Sequence, residues 1–555
     1  MITAPMRGMA EGRSIWDEGL EKNHANHIAL TPLTFFARAA AVFPEREAVV
    51  YGAIRRGWAE TYRRCCRLAS ALRRIGIQTG DTVAVIGTNT PEMFEAHFGV
   101  PMAGAVLNAI NTRLDAETIA FILDHSETRV LLVDREFSRT VARALGLMDR
   151  PPVVIDIDDP AFEGGELLGS QDYEAFIATG DPDYAWEGPA DEWQAIAVNY
   201  TPSATSRPRG AVHHHRGAYL NAMANVLMWE MGKQPVFLWT VPMFHCNGWC
   251  FPWSAPIVAA TSVCLRDVRA EAIFEAVRNE GVTLFSGAPI ILSMIDEAPE
   301  AMKTNLPHQV GILTGGASPP APILEEMERL GFAVSHGYGL TEVFGLATIC
   351  VWRDEWNALP IDERARMRAR QGVRSHVVEA LMVADPVTLD PVPQDGRTVG
   401  EVFIRGNAIM KGYLKDPAGT AESFRRGWFR TGDLAVWHDG GYVEIKDRSK
   451  EIIISGGENI SSQEVETILL RHPAVLEAAV VAKPDPKWGE SPCAFVTLRD
   501  DLALDERDII SFCRQHLAHY KVPRSIVFGP LPKSAGGTVQ KSLLRERAKQ
   551  LGLLI

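Results

Sequence analysis

Residues 199–210 read Asn-Tyr-Thr-Pro-Ser-Ala-Thr-Ser-Arg-Pro-Arg-Gly. Small hydroxyl residues, a turn proline and two arginines between strand-like flanks are the materials of a loop that cradles phosphate oxygens with successive backbone N–H groups. Glycine lets such a loop come close to its ligand, yet only Gly210 is present, and Pro202 has no N–H to offer. A second stretch, Gly337-Tyr338-Gly339-Leu340-Thr341-Glu342, follows an apolar run at 332–335. Its glycines predict a sharp turn, Thr341 offers a hydroxyl, and Glu342 offers an oxygen of the kind Mg2+ takes. Read alone, it is equally a glycine-rich turn before a capped helix. A third stretch, Pro242-Met243-Phe244-His245-Cys246-Asn247-Gly248-Trp249, sets one histidine among aromatics, an arrangement more often structural than catalytic.

The elements that position these residues read as α/β. Apolar runs at 82–86, 130–133, 236–241, 282–286 and 310–313 alternate with amphipathic stretches. Asn89-Thr90-Pro91 supplies a helix cap and a first-turn proline. Residues 156–169 are acidic and glycine-containing, hence a surface loop, and 354–371 are charged and helical. Beyond Lys446-Asp447-Arg448-Ser449-Lys450, a hinge candidate, come a strand at 452–454 and the glycine turn Ser455-Gly456-Gly457-Glu458-Asn459. Ser461 with Glu464 then predicts a capping box, and Val465, Ile468 and Leu469 form one helix face. Strands at 479–482 and 494–498 and a helix at 509–517 complete a C-terminal unit of domain size.

At 555 residues the chain can bury more than one core, and 46% hydrophobic with 23% charged residues is ordinary for a globular protein. A net charge of -13 argues against nucleic acid as the main partner. No apolar run is long enough for a membrane span, and residues 1–13 lack a signal core. Eight scattered cysteines without zinc spacing predict buried free thiols and a cytoplasmic location.

Together these stretches resemble the adenylate-forming superfamily of acyl-CoA synthetases, luciferases and adenylation domains, over almost the whole chain. The superfamily's phosphate loop reads Tyr-Thr-Ser-Gly-Thr-Thr-Gly-x-Pro-Lys-Gly; Tyr200, Thr201, Thr205, Pro208 and Gly210 match it, while Pro202, Ser203, Ala204, Ser206 and Arg209 depart from it. The resemblance implies a large N-terminal domain of several α/β subdomains at 1–446, a hinge at 447–450 around Lys450, and a small mobile α+β C-terminal domain at 451–555. It implies Tyr338 on adenine, Thr341 at phosphate and Glu342 on Mg2+. It also implies Asp433 of Thr-Gly-Asp and Arg448 on the ribose, a carboxylate suiting a diol with two acceptors side by side. Gly316 of Gly-Gly-Ala lines the adenine and acyl sites, and Gly456 and Gly457 join the nucleotide contacts. His245, Asn247, Trp249 and Gly339 fall in the acyl pocket, with His245 as its gate. The branch that looks most similar is the short- and medium-chain acyl-CoA synthetases, including methylmercaptopropionate-CoA ligases. AMP or ATP, CoA and Mg2+ are the implied cofactors, an acyl substrate or acyl-CoA the implied small-molecule partner, and a homodimer the assembly common in the family.

One motif departs further. Where the family carries its catalytic lysine, in Pro532-Lys533-Ser534-Ala535-Gly536-Gly537-Thr538, this chain has Thr538; Lys541, three residues on, is expected to keep a structural place. A hydroxyl does not replace a mobile cation at phosphate, and one lost preorganised donor typically costs about 3–4 kcal/mol. The reading that follows is an enzyme of this fold whose ATP-driven adenylation is lost or strongly impaired. It would act on a carboxylate, acyl-adenylate or acyl-CoA in the same pocket. The alternatives are an ordinary AMP-forming carboxylate–CoA ligase, with nitrite activation as a minor variant, and a non-catalytic ligand-binding scaffold.

Overall fold

The computed structural model describes residues 15–16, 18–201, 207–303, 306–315, 319, 321–448, 451, 453–455, 458–485, 489–499, 504–517, 519–533 and 539–552, with backbone alone at 321, 362, 447–448, 454, 458–459, 489, 520 and 552. The fold is mixed α/β, with a large N-terminal part and a small C-terminal one.

Two sheets dominate. A seven-stranded sheet runs Gly412–Tyr413, Arg209–His214, Ala195–Thr201, Val106–Ala109, Thr82–Ile86, Thr128–Asp134, Val153–Ile157. A nine-stranded sheet runs Val373–Arg374, Gly345–Ile349, Phe332–Leu340, Val310–Gly315, Leu284–Gly287, Val236–Trp239, Thr261–Cys264, Glu47–Tyr51, Ile54–Gly57. Most interior strands of both pair in parallel, while Arg209–His214 and Gly345–Ile349 pair antiparallel with both neighbours. Parallel strands are buried on both faces and read as continuous apolar runs, which is why Thr82–Ile86 carries five buried residues in a row. Helices Leu33–Val42, Trp58–Arg74, Pro91–Met102 and His215–Met228 supply core residues that pack with Val83, Val85 and Ile196 of one sheet and Phe237, Trp239 and Leu313 of the other. Helix Pro91–Met102 starts as expected, with Thr90 Oγ1 accepting from Met93 N and proline in its first turn.

A five-stranded antiparallel sheet, with Val399–Arg405 and Trp428–Trp437 central and Val443–Arg448 paired to the latter, shares a core with Ala211, Tyr338 and Ala347 of the two large sheets. It therefore closes over the strand ends where ligands of parallel α/β sheets sit. After residue 452 the strands Ile453–Ser455, Glu458–Ile460, Val475–Asp485, Gly489–Leu498 and Ser525–Phe528 make their own sheet with apolar clusters on both faces. Ser461 caps helix Ser462–Leu469 by accepting from Glu464 N, but the box closes only halfway: the Glu464 carboxylate pairs instead with Lys521 Nζ at 2.7 Å. Val465, Ile468 and Leu469 are buried as expected. Among the described residues no helix is long and apolar enough to cross a membrane. No cysteine is in a disulfide; seven are buried and Cys350 is half-buried.

Candidate active site

The glycine-rich stretch at 337–340 is not the turn its composition predicts. It is the end of strand Phe332–Leu340, paired antiparallel with Gly345–Ile349, and the chain turns only at Thr341–Val343. The glycines serve close approach: a Cβ on Gly339 would lie 1.8 Å from the Gly345 carbonyl oxygen. The extended backbone buries the Tyr338 ring, 6% exposed, and aims its hydroxyl at Asp433 Oδ2, 2.6 Å away. The stretch at 428–433, a bland turn when read alone, is likewise strand, Trp428–Trp437, with Gly432 at φ 77 just before Asp433. Asp433 stands opposite Arg448 in the ladder with Val443–Arg448; Arg448 is described by backbone only.

Glu342, in the short turn, accepts a hydrogen bond from Tyr413 Oη at 2.7 Å. Arg209 lies over the Tyr413 ring, its guanidinium carbon 3.9 Å from the centroid, and Nη2 donates to the Tyr413 hydroxyl at 3.3 Å. Burial and the Glu342 carboxylate both push the Tyr413 pKa up, so it stays a donor. Tyr413 has no signal in the local sequence: it reaches the site because its short strand pairs with Arg209–His214. Thr201 Oγ1 donates to the Arg209 carbonyl at 3.3 Å, across the hairpin that bounds the phosphate-loop candidate. Thr205, Gly316, Lys450, Gly456, Gly457 and Thr538 lie outside the described residues. Lys541 is held structurally, as expected, bonding Ser462 Oγ at 2.5 Å and pairing with Glu466 at 2.8 Å.

The acyl-pocket candidates sit on a turn of unusual hand. Residues 246–250 all have positive φ: Cys246 43°, Asn247 42°, Gly248 54°, Trp249 53° and Cys250 68°. Left-handed backbone is costly for side-chain-bearing residues and persists only where surroundings hold it. Here Asn247 is fully buried and bonded by Asn199 Nδ2 to its Oδ1 at 2.6 Å, and Asn225 Nδ2 donates to the Trp249 carbonyl at 3.0 Å. The turn brings Cys246 Sγ within 3.1 Å of Thr341 Oγ1, joining the two motifs. Trp249 presses its ring edge on Gly315, where a Cβ would meet Cη2 at 3.2 Å. His245 precedes the turn and is open to solvent, while the protein around it desolvates the ring and lowers its pKa; among the described residues its ring has no hydrogen-bond partner. The neighbouring histidines are structural. His213 lies flat on Phe344, centroids 3.9 Å apart; His214 caps helix His215–Met228; His215 bonds Thr31.

The AMP-binding enzyme profile matches residues 36–414 and the AMP-binding enzyme C-terminal domain profile residues 464–538. A peroxisomal acetate/butyrate–CoA ligase of Arabidopsis thaliana is 51% identical over 96% of this chain and 97% of its own length. An acetate–CoA ligase of Humulus lupulus is 49% identical over 98% of each. Among solved structures, the o-succinylbenzoate CoA synthetase of Bacillus subtilis in complex with its acyl-adenylate intermediate superposes with TM-score 0.78 at 25% identity, over 92% of this chain and 97% of that one. These relatives overturn the expectation that ATP-dependent adenylation is lost, and they give no support to the description of the enzyme as atypical or of its phosphate loop as degenerate. The expectation rested on motif letters alone, the departures at 202–206 and 209 and Thr538 in the C-terminal motif. Arg209, one of the counted departures, keeps its positive charge at the site beside Tyr413 and Glu342.

Proposed function

From a chain that belongs to the AMP-binding enzyme family, we propose an AMP-forming carboxylate–CoA ligase for short aliphatic acids: carboxylate, ATP and CoA give acyl-CoA, AMP and pyrophosphate. The observation that carries it is the whole-length likeness to the acetate/butyrate–CoA ligase, 51% identical over 96% of this chain. The family resemblance and the geometry suit the roles as follows. Asp433, oriented by Tyr338, accepts from the ribose hydroxyls. The nucleotide ring stacks on the Tyr338 face, and Thr341 with Thr201 and Thr205 meets phosphate. Mg2+ fits at Glu342, whose Oε1 is oriented by Tyr413 while Oε2 has no partner among the described residues; when bound it supplies positive charge against the phosphates. Arg209 adds a permanent cation beside that carboxylate.

On the acyl side, His245 is an open group with no ring hydrogen-bond partner among the described residues, and Trp249 against Gly315 limits the pocket's depth, which supports a short acid. Gly316, Gly456 and Gly457 complete the nucleotide contacts. The domain reading is also a proposal: 1–446 and 451–555 rotate about 447–450, with Lys450 at the pivot and Arg448 just before it, and Thr538 is carried to the site. The compartment we propose is a reducing one, the cytoplasm, supported by eight cysteines free of disulfides; the Arabidopsis relative is peroxisomal. A homodimer is carried over from the resemblance. Mass spectrometry of products from acetate, butyrate, hexanoate and octanoate with ATP and CoA tests the function: acetyl- and butyryl-CoA are expected to dominate, and octanoyl-CoA as the main product would overturn the short-chain assignment.

A further inference from the structure

We propose that His97 is a positioning residue for acyl selectivity, holding the left-handed turn at 246–250 through a one-way chain of hydrogen bonds that begins at the strand feeding the phosphate-loop candidate. The proposal rests on the reading above that His245 and Trp249 line the acyl pocket.

His97 lies in helix Pro91–Met102, far in sequence from every candidate site residue, and is fully buried. Its Nδ1 is 2.8 Å from the Met93 carbonyl oxygen. A carbonyl only accepts, so Nδ1 carries the hydrogen, and in the neutral ring Nε2 is left as an acceptor. Nε2 faces Asn247 Nδ2 at 3.3 Å, and amide nitrogen only donates; the Met243 backbone also lies against the ring, without a hydrogen bond as close as that to Met93. The other end of that amide, Oδ1, accepts from Asn199 Nδ2 at 2.6 Å. Every donor therefore points the same way, from Asn199 to Asn247 to His97 to Met93. Burial keeps the ring neutral by lowering its pKa to about 4, which preserves Nε2 as an acceptor near neutral pH. The ring also meets Trp253 edge-on at 5.9 Å, and Trp253 Nε1 donates to the His97 carbonyl at 3.1 Å.

The consequence lies in what the chain of bonds holds. Asn247 has φ 42° and precedes Gly248 and Trp249 at φ 54° and 53°. A left-handed run of this kind relaxes when its buried side-chain support is removed. Relaxation moves Trp249 off Gly315 and swings His245, altering acyl fit. The proposed nucleotide contacts of Tyr338 and Asp433 come from other strands and do not depend on it. Asn199 lies two residues before Thr201, so the same bonds join the acyl turn to the phosphate-loop strand.

The test compares His97→Leu, which keeps the volume and removes the acceptor, with His97→Gln, whose amide oxygen can stand near the Nε2 position. Expected for His97→Leu is a rise of about tenfold or more in KM for butyrate, the scale of an orphaned buried donor, with weaker discrimination against hexanoate and KM for ATP nearly unchanged. His97→Gln is expected to recover most of the loss. Equal changes in KM for butyrate and ATP, or no change for butyrate, would overturn the proposal. A second measurement does not depend on activity or on the variants: in histidine-labelled protein, two-bond nitrogen–proton correlations report the tautomer. The Nδ1–H form at pH 7 supports the chain of bonds, and the Nε2–H form refutes it. Unmodified protein that makes no acyl-CoA would count against the ligase reading instead, and the tautomer then decides the matter for His97.

Discussion

Tyr338 and Asp433 belong to different sheets, yet the Tyr338 hydroxyl donates to Asp433 Oδ2 at 2.6 Å. The phenol fixes one carboxylate oxygen, and the pair forms the seam where the five-stranded sheet closes over the parallel strand ends. Tyr338→Phe is expected to raise KM for ATP by about tenfold, because a hydrogen bond to a charged group is worth roughly 1.5–3 kcal/mol. Asp433→Asn should do the same or more, with KM for the acid less affected. Steady-state kinetics with each substrate varied in turn checks both; an unchanged KM for ATP in Asp433→Asn would remove Asp433 from the nucleotide site.

In the proposed function Trp249 sets the reach of the acyl pocket. Trp249→Gly removes the ring pressed on Gly315 and suits a backbone at φ 53°. Longer acids should gain, by roughly fourfold in KM per newly buried methylene at about 0.8 kcal/mol each. Relative kcat/KM across acetate, butyrate, hexanoate and octanoate is the readout, and an unaltered profile would place the acyl chain elsewhere.

Thr538→Lys addresses the departure in the C-terminal motif directly. An active ligase is expected to change its acyl-CoA formation rate only modestly on this substitution. A gain on the ~10²–10³ scale of a restored transition-state donor would contradict that.

Buried histidines make the fold acid-sensitive. Burial lowers the pKa of His97, His214 and His336 to about 4 each, below the ordinary imidazole value of 6.5. The unfolded chain therefore binds protons more readily than the native one between those values. Their stabilisation is full above pH 6.5 and is lost as pH falls from 6.5 toward 4, at up to about 3 kcal/mol for each group. Urea midpoints should drop steeply across that window, and His336→Asn should flatten the slope. A midpoint level from pH 7 to pH 4.5 would contradict the burial argument.

Much of the architecture was legible because parallel strands announce themselves: Thr82–Ile86 and Val310–Gly315 are apolar runs with a helical stretch after each. Capping was legible where one residue decides it, as at Thr90 and Ser461. The glycine stretch at 337–340 misled because glycine serves both a turn and a close cross-strand approach, and only the position of Gly345 distinguishes them. The turn at 246–250 was illegible for a related reason: its hand is imposed by Asn199, Asn225 and His97, none of them local. Tyr413 reaches Glu342 by strand pairing across some two hundred residues, beyond any local pattern. The loss of adenylation inferred from Thr538 and the phosphate loop did not stand against the whole-length likeness to CoA ligases, since motif letters alone do not show which cations a folded site keeps; Arg209 over Tyr413 is one.

The most direct measurement is pyrophosphate release by the purified, unsubstituted chain with acetate or butyrate, ATP, Mg2+ and CoA, read alongside acyl-CoA. One pyrophosphate per acyl-CoA, dependent on acid, is the predicted result. Protein that binds AMP but releases no pyrophosphate with any short-chain acid would contradict the account.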